Sequence, residues 1–281
     1  MNFLDKFLNR STKEGNINFE LGLKLYLAKG VERDIKEALH YFVLARDGGN
    51  ADAMYYLGLC LYAGDGVPVD ENKAAYYWKC AAERGNSEAQ YQLGCCYNKG
   101  IGVKQSEEKA AYYWKEAAKS GNPGALYQLG CYSYSGTLLP KNPELAISLW
   151  KKAAQQKNPD ALFRLGFCAL NGDILEPDID RAINYFEEAS GYGHSSAKFE
   201  LGRIYYEGLS GVIRNEFRGW KLMNDAANEG LNAAKEYIAC AKPPKEEEEK
   251  IILALPAGSG VVEGVKEEKI PVTSERSIKS Q

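Results

Sequence analysis

An all-α, right-handed superhelical solenoid of six 36-residue helix-turn-helix repeats is the fold class this sequence predicts, on three observations. The dipeptide Leu-Gly returns every 36 residues, at Leu21-Gly22, Leu57-Gly58, Leu93-Gly94, Leu129-Gly130, Leu165-Gly166 and Leu201-Gly202. Downstream of each copy, small residues flank one bulky apolar plug. The triplets are Ala38/Phe42/Ala45, Ala74/Trp78/Ala81, Ala110/Trp114/Ala117, Ala146/Trp150/Ala153, Ala182/Phe186/Ala189 and, one residue late, Gly219/Met223/Ala226. Between these two marks lies a loop punctuated by Gly, with Pro in the second, fourth and fifth copies. Self-similarity at such a period marks an array in which each unit packs only on its neighbours.

Residues 1–14 are expected to cap the N-terminal end, because Phe3, Leu4, Phe7 and Leu8 have helical spacing. The repeats then occupy residues 15–230, and the second, residues 51–86, shows their logic. Ala53, Leu57, Cys60 and Leu61 fall at i, i+4, i+7 and i+8, one face of a helix over about residues 51–63. Gly58 lies beside that face. A mid-helix glycine costs about 1 kcal/mol relative to Ala, so its return in every unit predicts a close crossing of the partner helix that leaves no room for a Cβ. Gly64-Asp-Gly66-Val-Pro68 stops the helix, since Gly tolerates left-handed dihedrals and Pro cannot continue it. A second helix begins near Asp70, its N-cap, with Glu71 in the first turn and Ala74, Trp78 and Ala81 on one face.

Later units vary this plan. The fourth and fifth loops, Gly136-Thr-Leu-Leu-Pro140 and Gly172-Asp-Ile-Leu-Glu-Pro177, lose the second glycine and gain apolar residues, which implies a different curvature there. The sixth loop, Gly208-Leu-Ser-Gly211, is one residue longer and delays the last triplet. Residues 231–241 read as a first helix without its partner, a C-terminal capping helix. Residues 242–281 carry Pro-Pro, a Glu246 to Glu249 run and Ala-Gly-Ser-Gly, a composition that cannot bury a core, and are expected to be disordered. Within them Ile251 to Leu255 is either a docking motif or a passive linker.

Composition excludes several function classes. The net charge of -3, without a Lys/Arg stripe to release counterions from phosphates, argues against nucleic acid as a partner. Asp5 and Lys6 interrupt the opening stretch where a signal peptide needs an apolar core, and Ile251 to Leu255 is too short to span a bilayer. A cytoplasmic chain with no membrane partner is expected. The 7 cysteines form an odd set without CxxC spacing, and His40 and His194 are the only histidines, so no metal site is expected. The cysteines read as reduced small hydrophobes. Neither histidine has a Ser or Cys with an orienting acid at a recognisable spacing. The Gly-Asp-Gly and Gly-Ile-Gly loops follow no strand and precede no Gly-Lys-Ser/Thr, so they are helix-ending turns and not phosphate cradles. No catalytic residue and no cofactor are assigned, and the chain is not read as an enzyme.

The second repeat reads Ala51-x-Ala53-x-Tyr55-x-Leu57-Gly58, then Gly64-x-Gly66-Val67, then Lys73-Ala74-x-x-Tyr77-Trp78-x-x-Ala81-Ala82-x-x-Gly85-Asn86. This pattern resembles the Sel-one-like repeat family, a branch of the tetratricopeptide-like helical repeats. The resemblance runs from about Gly15 to Gly230. It implies a superhelix of helix pairs whose first helices line the concave side, and an adaptor role in protein complexes. Some secreted members join each helix pair by a disulfide between cysteines eight positions apart and are reported to bind β-lactams. Cys80 occupies the matching place here, but position 88 is Glu88, so a β-lactam hydrolase of that subgroup is not implied. Pentatricopeptide arrays, which read RNA with units of nearly the same length, need a basic groove that this charge balance does not supply.

A second stripe on the first helices, about 200° from Ala53, then carries the candidate site. Its first row is Phe19, Tyr55, Tyr91, Tyr127, Phe163 and Phe199. One turn on come Leu23, Leu59, Cys95, Cys131, Phe167 and Arg203, and then Tyr26, Tyr62, Asn98, Tyr134, Leu170 and Tyr206. By analogy with the tetratricopeptide fold these rows line a concave groove, where rigid aromatic rings offer contact area at low entropic cost. The first row is either groove or packing between repeats. The later rows vary from copy to copy, as a binding surface requires, so Tyr26, Tyr62, Asn98, Tyr134, Leu170, Arg203 and Tyr206 are the stronger candidates for contact with a partner protein or peptide. The expected form is a monomer.

Overall fold

The computed structural model describes residues 3–174 and 176–244, and every regular element among them is helical. The first repeat pairs α1 (Phe3–Tyr26) with α2 (Ile35–Asp47), and the next three pair α3 (Ala51–Ala63) with α4 (Glu71–Ala82), α5 (Ser87–Lys99) with α6 (Glu107–Lys119), and α7 (Pro123–Ser135) with α8 (Pro143–Gln155). The last two pair α9 (Pro159–Asn171) with α10 (Ile179–Gly191) and α11 (Ser195–Glu207) with α12 (Glu216–Asn228), and α13 (Asn232–Cys240) follows. Each helix packs on the one before and the one after it, which makes the residues up to Ala241 an α-α superhelical solenoid. The segment expected to be disordered lies outside the described residues from Lys245 on. The N-terminal cap and the first helix are one element, because α1 runs unbroken past residue 14.

Local chemistry sets the helix ends. Asn50, Asn86, Asn122 and Asn158 cap the first helices, each side-chain oxygen accepting from the backbone N–H three residues on. Asp34, Asp70, Ser106, Asn142, Asp178 and Asn215 do the same for the second helices. Gly64, Gly100, Gly136, Gly172 and Gly208 end the first helices in the left-handed region, where a Cβ would be strained.

The plugs make the core. Phe42, Trp78, Trp114, Trp150, Phe186 and Met223 are all buried, together with the alanines beside them. In the three middle repeats the indole Nε1 also donates to a first-helix carbonyl, Trp78 to Tyr55, Trp114 to Tyr91 and Trp150 to Tyr127, each at 3.2 Å. That bond lets a large amphipathic ring be buried without an orphaned donor.

These rings also account for the recurring glycine, and they correct the expected cause. A Cβ on Gly58 or Gly94 would stand 2.5 Å from the Nε1 of Trp78 or Trp114, so what excludes it in these units is the plug's aromatic face. Backbones also come together in the first repeat, where a Cβ on Gly22 would meet the Ala38 carbonyl oxygen at 3.1 Å, and most closely in the sixth, where a Cβ on Gly219 would meet the Gly202 carbonyl oxygen at 2.5 Å. There the plug is the slimmer Met223, and α11 and α12 approach more closely. Gly94→Ala is therefore expected to destabilise the array by about 1–3 kcal/mol through overpacking, despite Ala's better helix propensity. A urea titration reading no loss would contradict this packing.

The leucine of Leu-Gly faces the preceding repeat. Leu57, Leu93, Leu129, Leu165 and Leu201 are buried, whereas Leu21, in the first repeat described, is 42% exposed. Ile17, one turn earlier, is exposed as well. In the first repeat the positions that elsewhere face a preceding unit are thus left open, as neighbour-packed units leave any face without a neighbour.

Candidate functional site

The 36-residue spacing places the three candidate rows along the first helices, and their side chains meet different surroundings. Tyr55, Tyr91, Tyr127 and Phe163 of the first row are half-buried, and Phe199 is buried. Tyr91 lies against the backbone of the next repeat, because a Cβ on Gly124 would fall 2.7 Å from its ring. Phe163 stacks on His194 of the next repeat at 4.5 Å and tilts onto the plug Phe186 at 5.8 Å. Burial pushes the Tyr55 hydroxyl up to about 12 and raises those of Tyr91 and Tyr127 as well. This row holds successive repeats together.

Among the remaining candidates, several are engaged inside the array. The Tyr26 hydroxyl donates to Asp65 at 3.1 Å, with the Arg33 guanidinium over its ring. Asn98 accepts at its side-chain oxygen from the Tyr132 hydroxyl at 2.9 Å. Leu170 packs beside the plug Phe186, and Tyr206 lies against Trp220 and Tyr237. Arg203 is held between Glu200 and Glu207 of its own helix, 3.2 and 3.3 Å away, and over the Tyr237 ring.

Tyr62 and Tyr134 differ. Each lies tilted on the plug tryptophan of its repeat, Tyr62 on Trp78 at 5.5 Å and Tyr134 on Trp150 at 5.6 Å. Each also borders a hollow between its repeat and the next. The one beside Tyr62, about 190 Å³, is walled by Trp78, Tyr91, Gln92, Cys95 and Lys99. The one beside Tyr134, about 260 Å³, is walled by Trp150, Gln128, Cys131, Ser135 and Arg164. Two repeats apart, the two share the tyrosine, the plug tryptophan and the position held by Gln92 and Arg164, while their other walls come from different repeat positions.

The three rows do not include most polar members of these hollows. Gln92, Gln128 and Arg164 occupy the position after the first-row aromatic, a column that reads Glu20, Tyr56, Gln92, Gln128, Arg164 and Glu200, and Lys99 and Ser135 stand outside it. Its variability was the available signal. A second aromatic surface lies outside the rows as well: Tyr76 and Tyr112 of the second helices stand mostly exposed, each edge-on to its neighbour Tyr77 or Tyr113.

The two histidines have different surroundings. His194 caps α11, its Nδ1 accepting from the Ala197 N–H at 3.1 Å while Nε2 faces Asp160 at 3.5 Å. His40 is exposed beside Tyr41. All the cysteines are free; Cys60, Cys96 and Cys168 are buried and Cys240 is exposed. Burial pushes the thiols of Cys60 and Cys96 up to about 11 and 12. In a thiol-labelling assay at pH 8, Cys240 is expected to react at once and those three only after denaturation. Above the ordinary value of 9.0 the unfolded thiols ionise while the folded ones keep their protons, so stability is expected to decline as pH rises from about 9 to 11. Among the described residues no group of three or more potential metal ligands occurs, and no helix is long and apolar enough to cross a membrane.

The model of the Sel1 repeat matches residues 18–50, 51–86, 87–122, 123–158, 159–191 and 195–231, the greater part of the chain. The chain belongs to the Sel1 repeat family. Sel1 repeat proteins generally serve as protein-interaction scaffolds. A Sel1 repeat protein from Oxalobacter formigenes is similar in structure, with 28% identity over 84% of this chain and 68% of its own, at a TM-score of 0.68. The protective antigen c5321 of uropathogenic Escherichia coli, which displays the same repeat fold, is 24% identical at a TM-score of 0.64. This chain aligns over 85% of its own length with 53% of that chain, about half. Immunity protein Pa5087 from Pseudomonas aeruginosa is 22% identical over 77% of this chain and 84% of its own, at a TM-score of 0.50. These last two likenesses concern the fold alone. No curated protein matches the chain.

Proposed function

We propose that this Sel1 repeat chain is a cytoplasmic, monomeric, non-enzymatic adaptor that holds an extended or helical segment of a partner protein along the groove formed by its first helices. One observation carries the reading. Tyr62 and Tyr134 stand on buried tryptophans at the edges of two hollows, although the packing of the repeats does not need their outer faces. Tyr62 is 44% exposed, and, unlike the more exposed Tyr76 and Tyr112 of the second helices, it borders a hollow walled by its own repeat and the next. Rigid rings backed by a fixed core offer contact area with little entropy left to lose, the usual character of an anchor in a peptide groove.

Replacing both Tyr62 and Tyr134 by Ala is the direct test. Peptide or partner affinity is expected to fall by about ten-fold or more, while the thermal midpoint shifts by only a few degrees. Early unfolding of the double variant would assign both rings to the core and end this reading.

A further inference from the structure

The two hollows share more than aromatic walls, for each contains one basic side chain. Lys99 sits in the first and Arg164 in the second. Elsewhere in the array the arginines find acceptors. Arg33 pairs with Asp65, Arg46 with Asp47, Arg181 with Asp178, Arg203 with Glu200 and Glu207, Arg214 with Glu216 and Arg218 with Glu187, while Arg84 donates to the Cys80 carbonyl. Arg164 is half-buried and makes no such pair among the described residues. Around it lie the Cys131 thiol and the rings of Tyr127 and Tyr134. The nearby carboxylate of Asp173 is beside the Tyr134 hydroxyl. Lys99, at the exposed end of α5, is likewise without an ion pair among the described residues.

With Asp160, one turn before it, facing His194, and Asp173 beside the Tyr134 hydroxyl, this half-buried guanidinium has lost part of its hydration without gaining an ion pair, so an incoming carboxylate meets it at a smaller desolvation cost than it would a fully hydrated cation. The Ser135 hydroxyl and Gln128 amide in the same hollow offer further donors. The aromatic walls favour an apolar or aromatic side chain beside that acid. Stacked helices stand about 10 Å apart, which separates the two hollows by about 20 Å, or about six residues of extended chain.

On these grounds we infer that the groove is selective for an extended acidic segment, with an Asp or Glu next to an apolar residue placed at Arg164 and a second such pair about six residues away at Lys99. The inference rests on the proposed groove and adds the chemistry of its occupant. It also assigns Arg164 as the residue that sets the preference for negative charge. Glutamine stands at the corresponding position of the third and fourth repeats, as Gln92 and Gln128, so Arg164→Gln is compatible with the fold.

The test is a selection of random twelve-residue peptides displayed on phage against the full chain. Binders are re-measured as synthetic peptides by fluorescence anisotropy on the unmodified chain, Arg164→Gln, Lys99→Gln and the Tyr62→Ala/Tyr134→Ala double variant. Peptides that depend on the two tyrosines are expected to carry an acid beside an aromatic or aliphatic residue. They should lose about ten-fold in affinity on Arg164→Gln, lose less on Lys99→Gln, and weaken as salt rises. Tyrosine-dependent peptides that lack acids, or that bind Arg164→Gln unchanged, overturn the acidic preference and leave the groove standing. A selection that returns no tyrosine-dependent peptide overturns both.

Discussion

Trp114→Ala is expected to lower the stability of the array by about 3–5 kcal/mol, the largest loss from any single substitution considered for this chain. Three effects act together. The indole is 1% exposed at the centre of a cluster formed by Ala110, Ala117, Ala125 and Leu129, so its removal leaves a cavity that small neighbours cannot fill. Its Nε1 bond to the Tyr91 carbonyl is lost, and the ring of Tyr132, 5.6 Å away, loses its partner. Trp114→Phe keeps most of the volume and gives up the donor, and Phe42 and Phe186 show that the fold accepts such a plug. Its expected cost is smaller, about 1 kcal/mol for the lost hydrogen bond plus some imperfect filling. Urea denaturation of the two variants checks the order. A Trp114→Ala loss below 1 kcal/mol would mean that the tryptophan is not the plug of its repeat.

Leu93→Ala is expected to cost about 2–5 kcal/mol, and its effect falls on a different contact. Leu93 is fully buried in the cluster that holds Trp78, Ala81 and Ala82 of the preceding repeat, so it fastens the second repeat to the third. Weakening one interface in the middle of a neighbour-coupled array lowers cooperativity as well as stability. Far-ultraviolet circular dichroism is therefore expected to show a broadened transition, or two, where the unmodified chain shows one. Leu21→Ala, at the same repeat position but 42% exposed, is the built-in control and is expected to change little. Equal losses at the two positions would refute the assignment of this leucine to the contact between repeats.

Much of the fold was legible because every unit solves the same packing problem with the same residues. A leucine facing the previous repeat, a glycine under the plug and alanines beside it recur at one period, and no tertiary information is needed to see them. The cause assigned to the glycine was less accessible. Sequence spacing says that a Cβ is excluded, and only coordinates say that in most repeats an indole or phenyl ring excludes it. The candidate site was legible in part. Tyr62 and Tyr134 stand in the row whose variation drew attention, yet Tyr26, Asn98 and Arg203 of the later rows have hydrogen bonds or ion pairs within the array. For Arg203 the pairing was readable, since Glu200 and Glu207 lie at i−3 and i+4 on one helix. Arg164 also has an acid one turn before it, Asp160, and only the coordinates show that carboxylate facing His194 instead.

The sequence by itself determined the number of repeats, their helix pairs, the plugs and the caps, because each depends on residues close in the chain or on a strict period. Only the tertiary structure decided which aromatic rings are packing and which border open hollows, and which cations lack a carboxylate. Exposure and pairing belong to surfaces made by residues 20 to 40 positions apart, where two chemically identical side chains can meet opposite surroundings. Tyr55 and Tyr62 lie on one helix, and it is the next repeat that encloses the first and leaves the second in the open.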